Sequence, residues 1–418
     1  MRHDTSLGAV CSQLLSAEDL QISEKVVKAL SAGPIVTQIV IMQRQAAIRI
    51  YSNQQLLLSD ITPILHDFAF VVVDEVTYTV PADARVIYVC RFNLQIDDLQ
   101  AFKKAKHNIE MVMTDSLLGK TFSSCHIYSL VYKQNLTLRQ VTLLRAFIEF
   151  INQAVASINF DTILHTVTRY DQLSNLLLHY FSARFKPDVE ERKSQVSEIE
   201  ALIEEAVKAV PDIVDDRILK LLVAMLRSIV RTNYFLEREA IAFKLDMAAF
   251  SEHLVGIQPR IEAFVYHYDF RGLHLRMGPI SRGGLRWSER YDDYRSEIRS
   301  LMLTQEGKNA IIIPDGAKGG FVIDRPKQEI TAELFTAVYS RFIDSLLDLI
   351  DSVEGESIQR DARIVAYDDE DTYFVVAADK GTARMSDTAN AIARKRGYWL
   401  GDAFASGGSN GYDHKALG

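Results

Sequence analysis

One stretch constrains this chain more than any other. It runs from Gly278 to Phe321, GPISRGGLRWSERYDDYRSEIRSLMLTQEGKNAIIIPDGAKGGF. It sets basic residues and glycines around two short apolar runs. Arg282, Arg286, Lys308 and Lys318 are its candidate cations. Glycine has no Cβ, so a ligand or a neighbouring backbone can come close at Gly283, Gly284, Gly316, Gly319 and Gly320. A cation beside such a position is well placed to meet a carboxylate. Convergent cations and burial both disfavour an ammonium, which is one way a lysine becomes a base near neutral pH. The acidic middle, SERYDDYRSE, reads as a solvated helix start. On residues alone the stretch reads equally well as a loop-rich edge of an α/β domain, since such glycine–lysine strings are common in turns.

A chain of 418 residues has room for two or three domains. A net charge of −8 argues against a binder driven by phosphate neutralisation, so no nucleic acid is expected as a partner. Cys11, Cys90 and Cys125 are scattered, with no CxxC, which speaks against a zinc site or a disulfide framework and suits a reducing cytoplasm. Apolar runs such as FAFVVV fall far short of the roughly 20 residues a membrane span needs. The opening MRHDTSLGAV lacks the apolar core of a secretory signal. A cytoplasmic protein without a membrane segment is the expectation.

Residues 1–34 read as the remnant of a preceding element, with a helix start at Ser16 and a stop at Gly33-Pro34. Residues 35–97 read as strand, helix, strand, strand. Asp60 is the expected cap of that helix, and Pro63 lies in its first turn. Residues 98–260 read as mainly helical, over 98–117, 137–157, 160–184, 189–209 and 213–237. Arg217, Arg227 and Arg231 read there as interface or helix-end charges. The scattered histidines have no metal spacing. Residues 261–418 alternate strands and helices as an α/β layer with a buried sheet. AIIIP is its apolar strand, with GAKGGFVID leading out of it; RIVAYDD and YFVVAAD are two further strands. The acidic run Asp368, Asp369, Glu370, Asp371 lacks calcium-loop spacing and reads as a solvated lead-in.

The strings SRGGLR (281–286), QEGK (305–308) and DGAKGG (315–320) resemble the substrate-binding core of glutamate dehydrogenases. VVAADKGTARMSDTANAIA (375–393) and YWLGDAFASGGSNGYDHK (398–415) resemble the large NAD-specific class closely. The resemblance covers roughly residues 215 to 418. It implies a multidomain α/β and α+β protein: an ACT-like βαββ module at 35–97, a helical region, and a glutamate dehydrogenase substrate-binding α/β domain at 261–418. It implies Lys318 and Asp379 as catalytic acid–base residues. Arg282, Gly283, Gly284, Arg286 and Lys308 would bind substrate. The activity implied is NAD-dependent oxidative deamination of L-glutamate to 2-oxoglutarate and ammonia, with a homo-oligomer and a possible amino-acid effector expected. Two departures matter. Arg282 stands where small members carry a lysine, and Asp315 could raise the Lys318 pKa if it points that way. No GxGxxG occurs in the chain, so the nucleotide-binding domain is expected to lie beyond Gly418, leaving a piece that binds substrate without turning it over. The competing reading is an amino-acid-sensing or assembly module, with 35–97 as the sensor.

Overall fold

The computed structural model describes residues 24–42, 45–82, 85–122, 126–306 and 315–410. The chain divides into two compact units, Met1–Thr142 and Leu143–Gly418.

The first unit opens with helix α1 (Glu24–Ala32) and is built on a four-stranded antiparallel sheet. Its strands are β1 (Ile35–Met42), β2 (Gln45–Ser52), β3 (Val71–Ala82) and β4 (Arg85–Gln95), in the order β1-β2-β4-β3. The β1–β2 hairpin adds a strand to the expected order, because IVTQIVIM and QAAIRIYS each carry enough β-branched residues to pair on their own. Helix α2 (Leu58–Asp67) starts earlier than expected. Leu57 is its N-cap, with no side-chain hydrogen bond, and Asp60 sits in the first turn. The expected single helix over 98–117 is two, α3 (Leu99–Lys104) and α4 (Lys106–Leu117), meeting at Ala105. Asp98 caps α3 by accepting from the amides of Gln100 and Ala101. Helix α4 lies along the edge strand β1. Glu110 accepts from the Ile39 amide at 2.7 Å and Thr114 from the Thr37 amide at 3.2 Å, which satisfies donors an open edge would leave bare. The helix start expected at Ser16 lies outside the described residues.

Helix α5 (Ser129–Lys133) follows, and α6 (Leu138–Ala154) carries the chain into the second unit. The helix expected over 160–184 breaks at Tyr170 into α7 (Phe160–Arg169) and α8 (Asp171–Phe185). Two more helices, α9 (Arg192–Lys208) and α10 (Ile213–Ser228), complete this layer. The helix expected to reach 237 stops at Ser228. Ile229–Thr232 is instead strand β5, and Tyr234–Leu236 a single 3-10 turn. Strand β6 (Ile241–Asp246) also lies inside the region read as helical.

Further along come β7 (Ile261–His267), β8 (Phe270–Arg276), β9 (Ser281–Trp287), α11 (Tyr294–Glu306), β10 (Asp315–Ile323) and α12 (Ala332–Leu347). A short hairpin of β11 (Ser352–Glu354) and β12 (Ser357–Gln359) precedes β13 (Val376–Ala378), α13 (Ser386–Lys395) and β14 (Ala405–Ser406). They form an eight-stranded sheet in the order β14-β13-β9-β10-β8-β7-β6-β5. Strands β14, β13, β9 and β10 run parallel, and the remainder antiparallel. One face packs on α12 and α13 through Leu285, Phe321, Val338, Phe342, Val376 and Ala389, all buried.

Two corrections bear on the site. SRGGLRW is not a loop but strand β9, and GAKGGFVI does not lead out of a strand but is strand β10 itself. The AIIIP run lies outside the described residues. RIVAYDD forms no strand, and the YFVVAAD strand shrinks to Val376–Ala378.

Candidate active site

Strand β9 runs between β10 and β13, so the side chains of three parallel strands meet over it. Its burial alternates: Ser281, Gly283 and Leu285 are buried, while Arg282, Gly284 and Arg286 are more open. By the ladder register, Lys318 of β10 and Asp379, the first residue after β13, project from the same face as Gly284. Strands two apart are about 10 Å apart. Lys318 and Asp379 nonetheless form an ion pair, Nζ to Oδ2, by leaning across Gly284 from opposite sides. A Cβ at Gly284 would lie 3.1 Å from the Asp379 Cβ and 3.3 Å from the Ala378 carbonyl. The missing side chain is what lets the two groups meet.

Asp379 is held by several further contacts. Its Oδ1 accepts from the Lys380 amide at 2.7 Å and lies 3.4 Å from Arg286 Nη2. Its own amide donates to Thr382 Oγ1 at 3.1 Å, and that hydroxyl donates to the Leu285 carbonyl at 2.6 Å. The turn requires Gly381 at φ +85°, with Trp287 packed where a Cβ would point. Partial burial works to raise the Asp379 pKa, but the hydrogen bonds and charges of Lys318, Lys380 and Arg286 outweigh it. The carboxyl stays below its ordinary value and is ionised at neutral pH.

Arg286 is engaged on both arms. Nη1 donates to Glu297 Oε1 at 3.1 Å, and Nη2 faces Asp379. Glu297 Oε2 in turn accepts from Ser288 Oγ at 2.5 Å. Arg282 is exposed and has no ion pair among the described residues. Gly283 faces its own chain, since a Cβ there would fall 1.6 Å from the Ala317 carbonyl oxygen. Gly319 makes room for Leu285 and His274, and Gly320 for Ile298. Much of the glycine density thus serves packing within the sheet and under α11. The Asp315 carboxylate turns onto Gly278, away from Lys318. Lys308 lies outside the described residues.

Sequence reasoning missed Glu297 and Ser288. The stretch SERYDDYRSE is a solvated helix start only in part. Arg290 pairs with Asp293 on the surface, whereas Arg295 is buried and donates to buried Glu262 at 2.9 and 2.7 Å. No local pattern marked Glu297: it meets β9 through Arg286, while its neighbour Ile298 packs over Gly320 of β10.

The acidic run is corrected in part: Asp369 and Glu370 are exposed, as expected, but Asp368 and Asp371 are not. Asp371 is buried between Arg276 and Lys244, and Asp368 bridges Lys244 and Arg231. Arg231, fully buried, donates to Asp351 at 2.9 Å and to the Asp369 carbonyl at 2.6 Å. These charges bind the segment entering β13 to strands β5, β6 and β8. Cavities of about 430 Å³, beside Asp348 and Arg396, and about 390 Å³, beside Lys244 and Asp371, lie away from the Lys318–Asp379 pair. In the first, Asp348 pairs with Arg396, and in the second, Lys244 pairs with Asp371.

Fold and site together define an α/β domain in which a lysine–aspartate ion pair sits over the parallel strands. Residues 202–418 match the family of bacterial NAD-glutamate dehydrogenase, catalytic domain. Residues 127–187 match glutamate dehydrogenase helical motif 3, and residues 40–107 the glutamate dehydrogenase ACT3 domain. NAD-specific glutamate dehydrogenase of Mycobacterium tuberculosis is 40% identical over 310 residues, covering 69% of this chain and 19% of that protein. The enzymes of that name from Halomonas elongata and Pseudomonas aeruginosa are each 35% identical, covering 86% and 88% of this chain and 23% and 24% of their own lengths. The chain belongs to the bacterial NAD-glutamate dehydrogenase family, and spans about a fifth to a quarter of these relatives. Among the described residues no helix is long and apolar enough to cross a membrane.

Proposed function

We propose that this chain supplies the substrate-binding and proton-transfer residues of an NAD-dependent glutamate dehydrogenase, acting on L-glutamate, 2-oxoglutarate and ammonia. The observation that carries the reading is the Lys318–Asp379 pair, leaning over a glycine on the open face of three parallel strands. A guest lying over Gly284 meets an ammonium on one side and a carboxylate on the other. Lys318, protonated, polarises the substrate carbonyl or the developing carbinolamine oxygen; neutral, it activates water. Asp379 carries protons to and from the substrate nitrogen, and its depressed pKa keeps it ionised at neutral pH. Arg282, exposed on the same face, and Lys308 are assigned to the substrate carboxylates. A dicarboxylic amino acid suits this set better than an apolar one, because a guanidinium left facing an alkyl chain would lose its hydration without a partner.

NAD supplies the hydride acceptor when bound. No strand–GxGxxG–helix unit occurs in the sequence, so no residue here is assigned to the cofactor.

Titration calorimetry with 2-oxoglutarate tests the assignment. The wild-type chain is expected to bind and Lys318→Ala to lose the signal. Equal signals would sink it. Binding that survives Lys318→Ala and disappears on deleting residues 35–97 would instead favour the sensing module.

A further inference from the structure

Arg286 is the natural competitor of Lys318 for Asp379. A guanidinium offers a carboxylate two parallel hydrogen bonds, where an ammonium offers a point charge. An unrestrained Arg286 would take Asp379 in that way and leave Lys318 without its partner. The structure shows the restraint. Nη1 of Arg286 donates to Glu297 at 3.1 Å, while Nη2 stands 3.4 Å from Asp379, beyond a well-formed hydrogen bond. Glu297 is itself fixed from the far side by Ser288 Oγ at 2.5 Å. Ser288 is anchored in turn, its amide donating to the Phe321 carbonyl at 2.9 Å.

We propose that Glu297 is a positioning residue for the acid–base pair: by holding one arm of Arg286, it keeps that guanidinium from drawing Asp379 away from Lys318. This rests on the roles assigned to Lys318 and Asp379 above. The charged groups facing Asp379 among the described residues are Lys318 from β10 and Arg286 from β9. Glu297 from α11 stands behind Arg286, and Lys380 is next in the chain. Lys318, Arg286, Asp379 and Glu297 together balance two positive charges against two negative. Removing the Glu297 charge leaves the group net positive and frees Arg286.

Carbon NMR of the Asp379 carboxyl in the full 418-residue chain reads this directly. Glu297→Gln keeps the side-chain shape and is expected to lower the Asp379 titration midpoint below that of wild type. The same substitution in an Arg286→Met background is expected to move it less. Equal movement in both backgrounds would mean that Glu297 acts through space and not through Arg286, and overturns the proposal; so does no movement in either. Arg286→Met alone is expected to raise the midpoint. Should Glu297→Gln not fold, an unchanged midpoint in Arg286→Met is the overturning result. A purely structural role for Glu297 would change melting without moving the midpoint. Calorimetry with 2-oxoglutarate on the same samples separates the two questions. A wild-type chain that does not bind it removes the functional assignment, while the titration still decides what Glu297 does.

Discussion

Gly284 is the residue on which the site turns. Lys318 and Asp379 could be singled out in the sequence because each sits in a string that resembles the family. That Gly284 separates them was not legible, since it depends on the order in which β13, β9 and β10 pair. A methyl group at 284 would press on the Asp379 Cβ at 3.1 Å, a contact that a small shift of Asp379 relieves. Gly284→Ala is therefore expected to fold normally by circular dichroism and to weaken 2-oxoglutarate binding roughly tenfold, or about 1.4 kcal/mol. Gly284→Val, with two further methyl groups, is expected to abolish binding. Unchanged affinity in both variants would show that guests do not use the Lys318–Asp379 contact. Gly283→Ala should behave differently. Its Cβ meets the Ala317 backbone, which cannot move aside, so loss of folded protein is expected rather than loss of affinity alone.

The elements hold the site through charges the sequence disguised. Asp371 looked solvated because its neighbours in the chain are acidic. Its partners, Arg276 and Lys244, lie 95 and 127 residues away, and no local pattern reports a pair that distant. Burial tends to raise the Asp371 pKa, but Arg276 and Lys244 hold it far below the ordinary carboxylate range. Asp371→Asn keeps the shape and removes the charge that both cations face. Breaking a buried pair from one side typically costs about 3–5 kcal/mol, and a loss of that order is expected in denaturant unfolding. A change below about 1 kcal/mol would mean that water reaches the cluster and screens it. The helix read over 213–237 stopped early for a related reason. Ile229–Thr232 fits a pleated edge beside β6, and its buried Arg231 finds carboxylates there that a helix would not have offered.

Across the molecule, two buried histidines contribute to the response to acid. Burial holds His274 down to about 3 and His267 to about 4, with nearby Arg276 and Arg341 adding to the effect. Both stay neutral when folded at pH 6, whereas the unfolded chain takes up protons near 6.5. The unfolded state thus binds more protons between those values. Their contribution to stability is present above about pH 6.5 and is lost as the pH drops toward 4, by up to about 1.4 kcal/mol per pH unit for each histidine. His274→Leu is expected to flatten the stability–pH curve over that window, measured by urea midpoints at several pH values; an unchanged slope would place the acid sensitivity elsewhere. The amino-acid sequence determined a good deal by itself: the family, the α/β and α+β class, and the choice of Lys318 and Asp379 as candidates. These follow from local strings, from hydrophobic period and from turn chemistry, all of which act over a few neighbouring residues. Tertiary structure alone decided that Arg286 answers to Glu297, that Asp371 is buried between two cations, and that a glycine lies between Lys318 and Asp379. Each of those depends on which strands become neighbours and where α11 docks, and pairings across a sheet are set by the packing of the whole layer.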